Sequence, residues 1–264
     1  MSAADIVIPF TKASACGNDF LLIDGAHAPT QIAEWTRLLC DRHNGVGADG
    51  VEWLYPATGA NIEAKLINAD GSPAEISGNG TRCVAAYLCA ETRKQSVVIR
   101  TGAGLKTCTL LEKSDNNFVF ETSMGVPEVG VEFAAAISVG EMRGIPVSMG
   151  NPHFVMFVTD FRDDWQQSAA EIQRDPIFKQ GVNVELVLVR DRQNIEARFF
   201  ERGVGETQSS GTGSCAAAVA AISTERTESP VRVHAPGGVQ MVRFADEVFL
   251  RGPAQLICRG EFFI

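Results

Sequence analysis

The chain has 264 residues, 45% of them hydrophobic, and a formal net charge of −9. That length suits one large or two modest domains, at roughly 100–200 residues each, and the apolar share suits a packed core rather than a disordered chain. With no Lys/Arg cluster, the acidic balance argues against binding nucleic-acid phosphates or an anionic membrane surface.

In chain order, residues 20–24, 51–54 and 64–67 read as strands. Residues 31–42 read as a helix, with Ile32, Trp35, Leu38 and Leu39 at helical spacing. Residues 80–90 read as a second, buried helix, followed by strands at 96–101, 105–111 and 118–121. Further strands are expected at 154–158, 184–189 and 195–200. Residues 168–173 belong to a helix and 211–223 form another, before strands at 231–234, 239–244 and 248–251. The fold class is α/β in the mixed α+β sense.

The longest apolar runs, 83–90 and 215–222, are eight residues each, far short of the roughly 20 that span a bilayer. Residues 1–10 have no basic segment and no long apolar stretch, so no secretory leader is expected. Seven cysteines in irregular positions do not make a disulfide framework. No CxxC, HExxH or zinc-spaced His/Cys set occurs, so the expectation is a cytoplasmic protein without a metal.

The sequence repeats. A shift of 133 residues lays Ser77 on Ser210, Asn68 on Glu201 and Asn18 on Asn151. A slightly larger shift, 136, lays 45–51 on 181–187. Ordered matches at nearly one offset predict an internal duplication. The two pseudo-symmetric lobes are then 1–124 and 125–264, each wrapping a central helix, and the last strand is free to return to the N-terminal lobe.

Each repeat carries a small polar loop ahead of an apolar helix, Ser77-Gly78-Asn79-Gly80 and Ser210-Gly211-Thr212-Gly213. Helix starts expose backbone N–H groups and positive partial charge, and glycines let an anion approach them closely. One such loop alone is an ordinary N-cap; two of them can hold one anionic ligand. Asn18, Asn68, Asn151 and Asn183 are either turn formers or a polar binding shell. His153 is either structural or part of that shell. Glu201 and Arg202 form either a surface ion pair or a site for an ammonium and a carboxylate. The ligand class this set suits is a zwitterion, an amino acid.

At these residues the chain resembles the diaminopimelate epimerase family. The matching stretches are 17–20, 45–50, 68–72, 77–83, 150–153, 181–185, 201–206 and 210–214. The resemblance implies two lobes, each a barrel-like sheet around a central helix. It implies inversion of LL-diaminopimelate to the meso form in lysine and cell-wall synthesis, without pyridoxal phosphate or metal, by a protein that is commonly a homodimer. It implies Asn18, Asn68, Asn151, Asn183 and Arg202 as substrate ligands, and His153 and Glu201 near the α-amino group. Gly78-Asn79 and Gly211-Thr212 match the helix starts that hold the α-carboxylate.

The family places a cysteine before each loop, one thiolate taking the α-proton and one thiol returning it. Here both positions are serine, Ser77 and Ser210. A thiol titrates near ~8.5 and a hydroxyl nearer to water's ~15.7. A gap of at least about five pKa units is roughly 7 kcal/mol of proton affinity, so slow chemistry is expected. Chemistry through Cys16 or Glu201, an amino-acid-binding relative without catalysis, and another isomerase of the same fold are the alternatives. Cys16, Cys83 and Cys215 are expected to be buried and inert.

Overall fold

The computed structural model describes residues 7–138 and 140–263; the stretch read for a leader begins outside them. The chain divides into two units, Met1–Thr122 with Pro253–Ile264, and Ser123–Gly252. The first unit thus ends at 122, where the repeat alone placed the junction after 124, and it takes back the final segment.

The first unit contains β1 (Val7–Ala15), β2 (Asn18–Asp24), α1 (Ile32–Cys40), β3 (Gly50–Tyr55), β4 (Ile62–Asn68), β5 (Pro73–Ala74), α2 (Gly78–Thr92), β6 (Ser96–Thr101), β7 (Gly104–Ser114) and most of β8 (Asn117–Gly125). β1 and β2 are antiparallel, β2 and β3 parallel, β3 and β4 antiparallel, β4 and β6 parallel, and β6, β7 and β8 antiparallel in turn. The chain's last strand covers the other side of β1, Val7 facing Phe263, and pairs β8 as well, which closes the barrel.

The second unit contains β9 (Glu128–Val129), β10 (Phe133–Ile137), β11 (Gly140–Ser148), β12 (Pro152–Phe157), α3 (Trp165–Gln173), β13 (Asn183–Asp191), β14 (Asn194–Glu201), β15 (Gly205–Thr207), α4 (Gly211–Ser223), β16 (Val231–Ala235), β17 (Gly238–Phe244) and the first residues of β18 (Val248–Phe263). Its strands follow the same alternation, with β12–β13 and β14–β16 parallel and the other neighbours antiparallel.

Strand alternation explains why each unit has two cores. Phe20 and Leu22 of β2 point inward onto α2, while Leu21 and Ile23 point outward onto α1. In β12 and β13, Val155 and Val187 face α4, while Phe154, Met156, Val184 and Leu186 face α3. A helix inside a barrel must be apolar on every side. Residues Gly211 to Ala221 of α4 are all buried. Its alanines suit that place, being small and the best helix formers.

The repeat is kept to the residue. α1 and α3 have the same length and lie 133 apart at both ends, as do the caps Ser77 and Ser210. Phe20 faces Gly50 where His153 faces Asn183, so β2–β3 and β12–β13 share a single register. This corrects the 136 shift: Gly50 is equivalent to Asn183, and Glu52 to Glu185.

Other boundaries also move. α1 stops at Cys40, short of 42, because the Asp41 side chain accepts the N–H groups of His43 and Asn44 and turns the chain. α3 starts at Trp165, earlier than 168, since Trp165, Ala169 and Ile172 make one buried stripe. β1 and β9 to β11 carry no strong sequence signal, and β18 runs well past 251. Among the described residues, no helix is long and apolar enough to cross a membrane.

Candidate active site

Each central helix begins at a serine with extended backbone. Ser77 (φ −122°, ψ 124°) accepts the Gly80 N–H through Oγ at 3.1 Å. Ser210 (φ −133°, ψ 129°) accepts the Gly213 N–H at 3.1 Å. The capping reading of each loop therefore holds. The two starts are the same device built twice.

Around Ser77 the polar side chains form a chain of amides and charges. Asn79, buried, donates to Asn18 Oδ1 at 2.6 Å and accepts from Arg82 Nη2 at 2.5 Å. Arg82 is buried too, and its guanidinium also donates to the Gly78 and Pro253 carbonyls. Asn18 donates to Asp49 at 3.1 Å, and Arg42 holds both Asp49 and Asp19. Burial works to raise Asp19, but Arg42 and Lys12 outweigh it and hold the carboxyl below its usual range. Asn18 is placed by the turn before it, where Gly17 takes φ 82°, as Gly150 does (φ 94°) ahead of Asn151. Asn68 ends β4 opposite Gly50 and donates to Ser72 Oγ at 3.1 Å.

Around Ser210 the partners differ. Asn151 donates to Thr212 Oγ1 at 3.4 Å, and its Oδ1 lies 3.0 Å from His153 Nε2. An amide oxygen only accepts, so Nε2 carries a proton. His153 Nδ1 lies 2.6 Å from Glu185 Oε1, and both side chains are fully buried. One proton is therefore shared between imidazole and carboxyl. Burial pushes Glu185 up, and His153 opposes it. Asn183 donates to the Pro152 carbonyl and accepts the Arg202 N–H at 2.9 Å each. Arg202 donates to the Gln180 carbonyl, and Glu201 accepts from Thr207 at 2.7 Å.

The structure thus joins Asn18 to Asn79, Asn151 to Thr212 and His153, and Asn183 to Arg202. Glu201 accepts from the β15 hydroxyl of Thr207. Cys16, Cys83 and Cys215 are buried, and burial raises the Cys16 and Cys83 thiols, as expected of core cysteines.

Two residues escaped the sequence reading. Glu52 lies under the start of α2 and Glu185 under the start of α4. A Cβ on Gly80 would collide with Glu52 Oε1 and come within 3.3 Å of Ser77 Cβ. A Cβ on Gly213 would come within 2.8 Å of Glu185 Oε1 and 2.9 Å of Ser210 Cβ. Burial alone pushes Glu52 up to about 8. The equivalent of His153 is Phe20, so no imidazole stands beside Glu52. The signal was available: Val51-Glu52 and Val184-Glu185 coincide at 133, which the 136 shift concealed.

The profile of the family described as diaminopimelate epimerase matches residues 10–129 and 145–257. The chain belongs to the diaminopimelate epimerase family. It is 36% identical to the diaminopimelate epimerase of Desulforudis audaxviator, over 96% of this chain and 98% of that one. The enzyme of Desulfitobacterium hafniense is 33% identical, over 94% and 96%. Among solved structures, a hydroxyproline epimerase from Agrobacterium vitis has the same fold (TM-score 0.76, 14% identity, 98% of this chain and 93% of that one). So does a phenazine biosynthesis protein of Bacillus anthracis (TM-score 0.74, 14% identity, 98% and 99%). The family is one of amino-acid epimerases, and the two-lobed α+β class read from the sequence is the fold of these neighbours.

Proposed function

We propose that this epimerase-family chain binds LL-diaminopimelate and inverts one α-carbon to give the meso form without a cofactor, with Ser77 and Ser210 in the two proton-handling positions. The supporting observation is the duplicated helix start. Inversion needs one group for each face of the carbon, and each repeat supplies one capped serine at the position where the family carries cysteine. The amides of Gly78, Asn79, Gly211 and Thr212 bind the α-carboxylate, because helix starts stabilise anions. That carboxylate accepts the charge left when the α-proton departs. Asn18, Asn68, Asn151, Asn183 and Arg202 bind the rest of the substrate, with His153 and Glu201 at the α-amino group. The assembly is a cytoplasmic homodimer.

A hydroxyl is the weaker acid–base group at neutral pH. The test is exchange of the α-proton of LL-diaminopimelate in heavy water, followed by NMR. S77C with S210C is expected to raise exchange about 10³-fold or more. Binding without exchange in that double variant would instead favour an amino-acid-binding relative. Absence of binding would reject the substrate.

A further inference from the structure

Glu52 and Glu185 sit at equivalent places in the repeat, and the roles proposed above use neither. We infer that each carboxyl is the proton store of the serine beside it, so that Ser77 with Glu52 and Ser210 with Glu185 act as two-residue acid–base units where the family uses thiols. This rests on the proposed function and specifies how serine can serve it.

The geometry is the first support. In each unit a carboxyl oxygen and the serine Cβ crowd one point, the place where the fourth loop residue, Gly80 or Gly213, would carry its Cβ. Only glycine at 80 and 213 leaves that space to the carboxyl. The surroundings are the second support. Glu52 is flanked across its strands by Leu22 and Leu66, and Glu185 by Val155 and Phe199. Burying a carboxyl among such residues costs stability, and both repeats do it at one position. Glu185 Oε2 is buried without a hydrogen-bond partner.

The two environments also divide the labour. On α2, Cys83 feels the charge of Glu52, while the Arg82 guanidinium is turned to Asn79, Gly78 and Pro253. Burial without compensation keeps Glu52 protonated near neutral pH. Glu185 faces His153 from β12, and its Oε1 already shares a proton with the imidazole. Two carboxyls held in unlike environments take the acid and the base role respectively.

The steps balance. Ser210 Oγ takes the α-proton as its own hydroxyl proton passes to the Glu185 carboxylate, and the C–H electron pair stays on carbon, spread into the α-carboxylate. Glu52 gives its proton to Ser77 Oγ as the Ser77 hydroxyl proton passes to that carbon. Glu185 ends protonated and Glu52 ionised; the reverse reaction or exchange with water restores them. The Gly80 and Gly213 N–H groups, each 3.1 Å from a serine oxygen, favour the negative charge that develops there. Catalytic hydrogen bonds of this kind shorten when substrate binds.

The experiment places Glu52→Gln and Glu185→Gln in the serine chain and in the S77C/S210C chain, and reads α-proton exchange of LL-diaminopimelate with binding by calorimetry. Each amide should lower exchange about 10²-fold or more with serines present, leave binding unchanged, and cost less than about 5-fold with cysteines present. Glu52→Asp and Glu185→Asp, which keep an acid, should fall between. Equal losses in both backgrounds, or equal losses for Gln and Asp, mean a packing role and overturn the inference. So does an undiminished rate with serines present. A serine chain without exchange beside an active cysteine chain overturns the relay and this chain's own turnover, and leaves standing only the substrate and the placement of positions 77 and 210 at its α-carbon. If the cysteine chain neither binds nor exchanges, both fall.

Discussion

The starts of α2 and α4 share a backbone and differ in what neutralises it. At α2 the buried asparagine is fixed by an arginine, and a surface network of Arg42, Asp19, Asp49 and Lys12 stands behind it. At α4 a threonine stands in place of that asparagine and a cysteine in place of the arginine, and the polar load falls on His153 and Glu185. Duplication fixed the strand register and the caps, whereas the side chains between them diverged. A buried carboxyl is common to both copies, but only one copy gives it an imidazole.

The largest expected effect concerns the carboxyl without one. Glu52 binds its proton more tightly folded, at about 8 against an ordinary 4.5. The folded state therefore holds more protons between those values, and stability falls as pH rises through that window. The fall from pH 5 to pH 8 is roughly 3 kcal/mol at ~1.36 kcal/mol per unit. Glu52→Gln should remove it, so urea midpoints at the two pH values should converge. A pH dependence unchanged by the substitution would put the source elsewhere.

Next comes His153→Phe, which writes the first repeat's residue into the second. It leaves Glu185 and the Asn151 carbonyl without the imidazole, so a loss of about 2 kcal/mol or more is expected. The urea midpoint checks this, with the slope unchanged. An unaltered midpoint would show that the two copies are interchangeable at this position.

The smallest effect is expected at Arg42→Ala. Arg42 is half exposed, and its pairs with Asp19 and Asp49 lie at 2.8 Å. Exposed pairs contribute about 0–1 kcal/mol. The thermal midpoint should shift only slightly, and that shift should shrink further in high salt. A large loss would make the network at α2 a structural equal of His153–Glu185.

Much of this was legible in the residues. Helix starts announce themselves through serine, glycine and a following apolar run, and the inner strands through dense β-branched and aromatic residues. The repeat needed only the sequence slid on itself. The buried carboxyls were hidden for a physical reason: in a strand, a glutamate reads as a solvent-facing residue, and nothing local shows that both faces of β3 and β13 are covered. α1 and α3 cover the outer face, and the central helices cover the inner one. β1 escaped because its inward Ala13 and Ala15 alternate with Lys12 and Ser14, a pattern too weakly apolar to stand out.

The strand beside β1 also bears on the order in which the molecule can be made. Residues 255–263 supply it, yet β1 itself is among the first described residues. Ser123–Gly252 is one continuous stretch, so it can fold as soon as it has left the ribosome. The N-terminal barrel, though synthesised first, must wait with an open seam until all of that stretch has been translated.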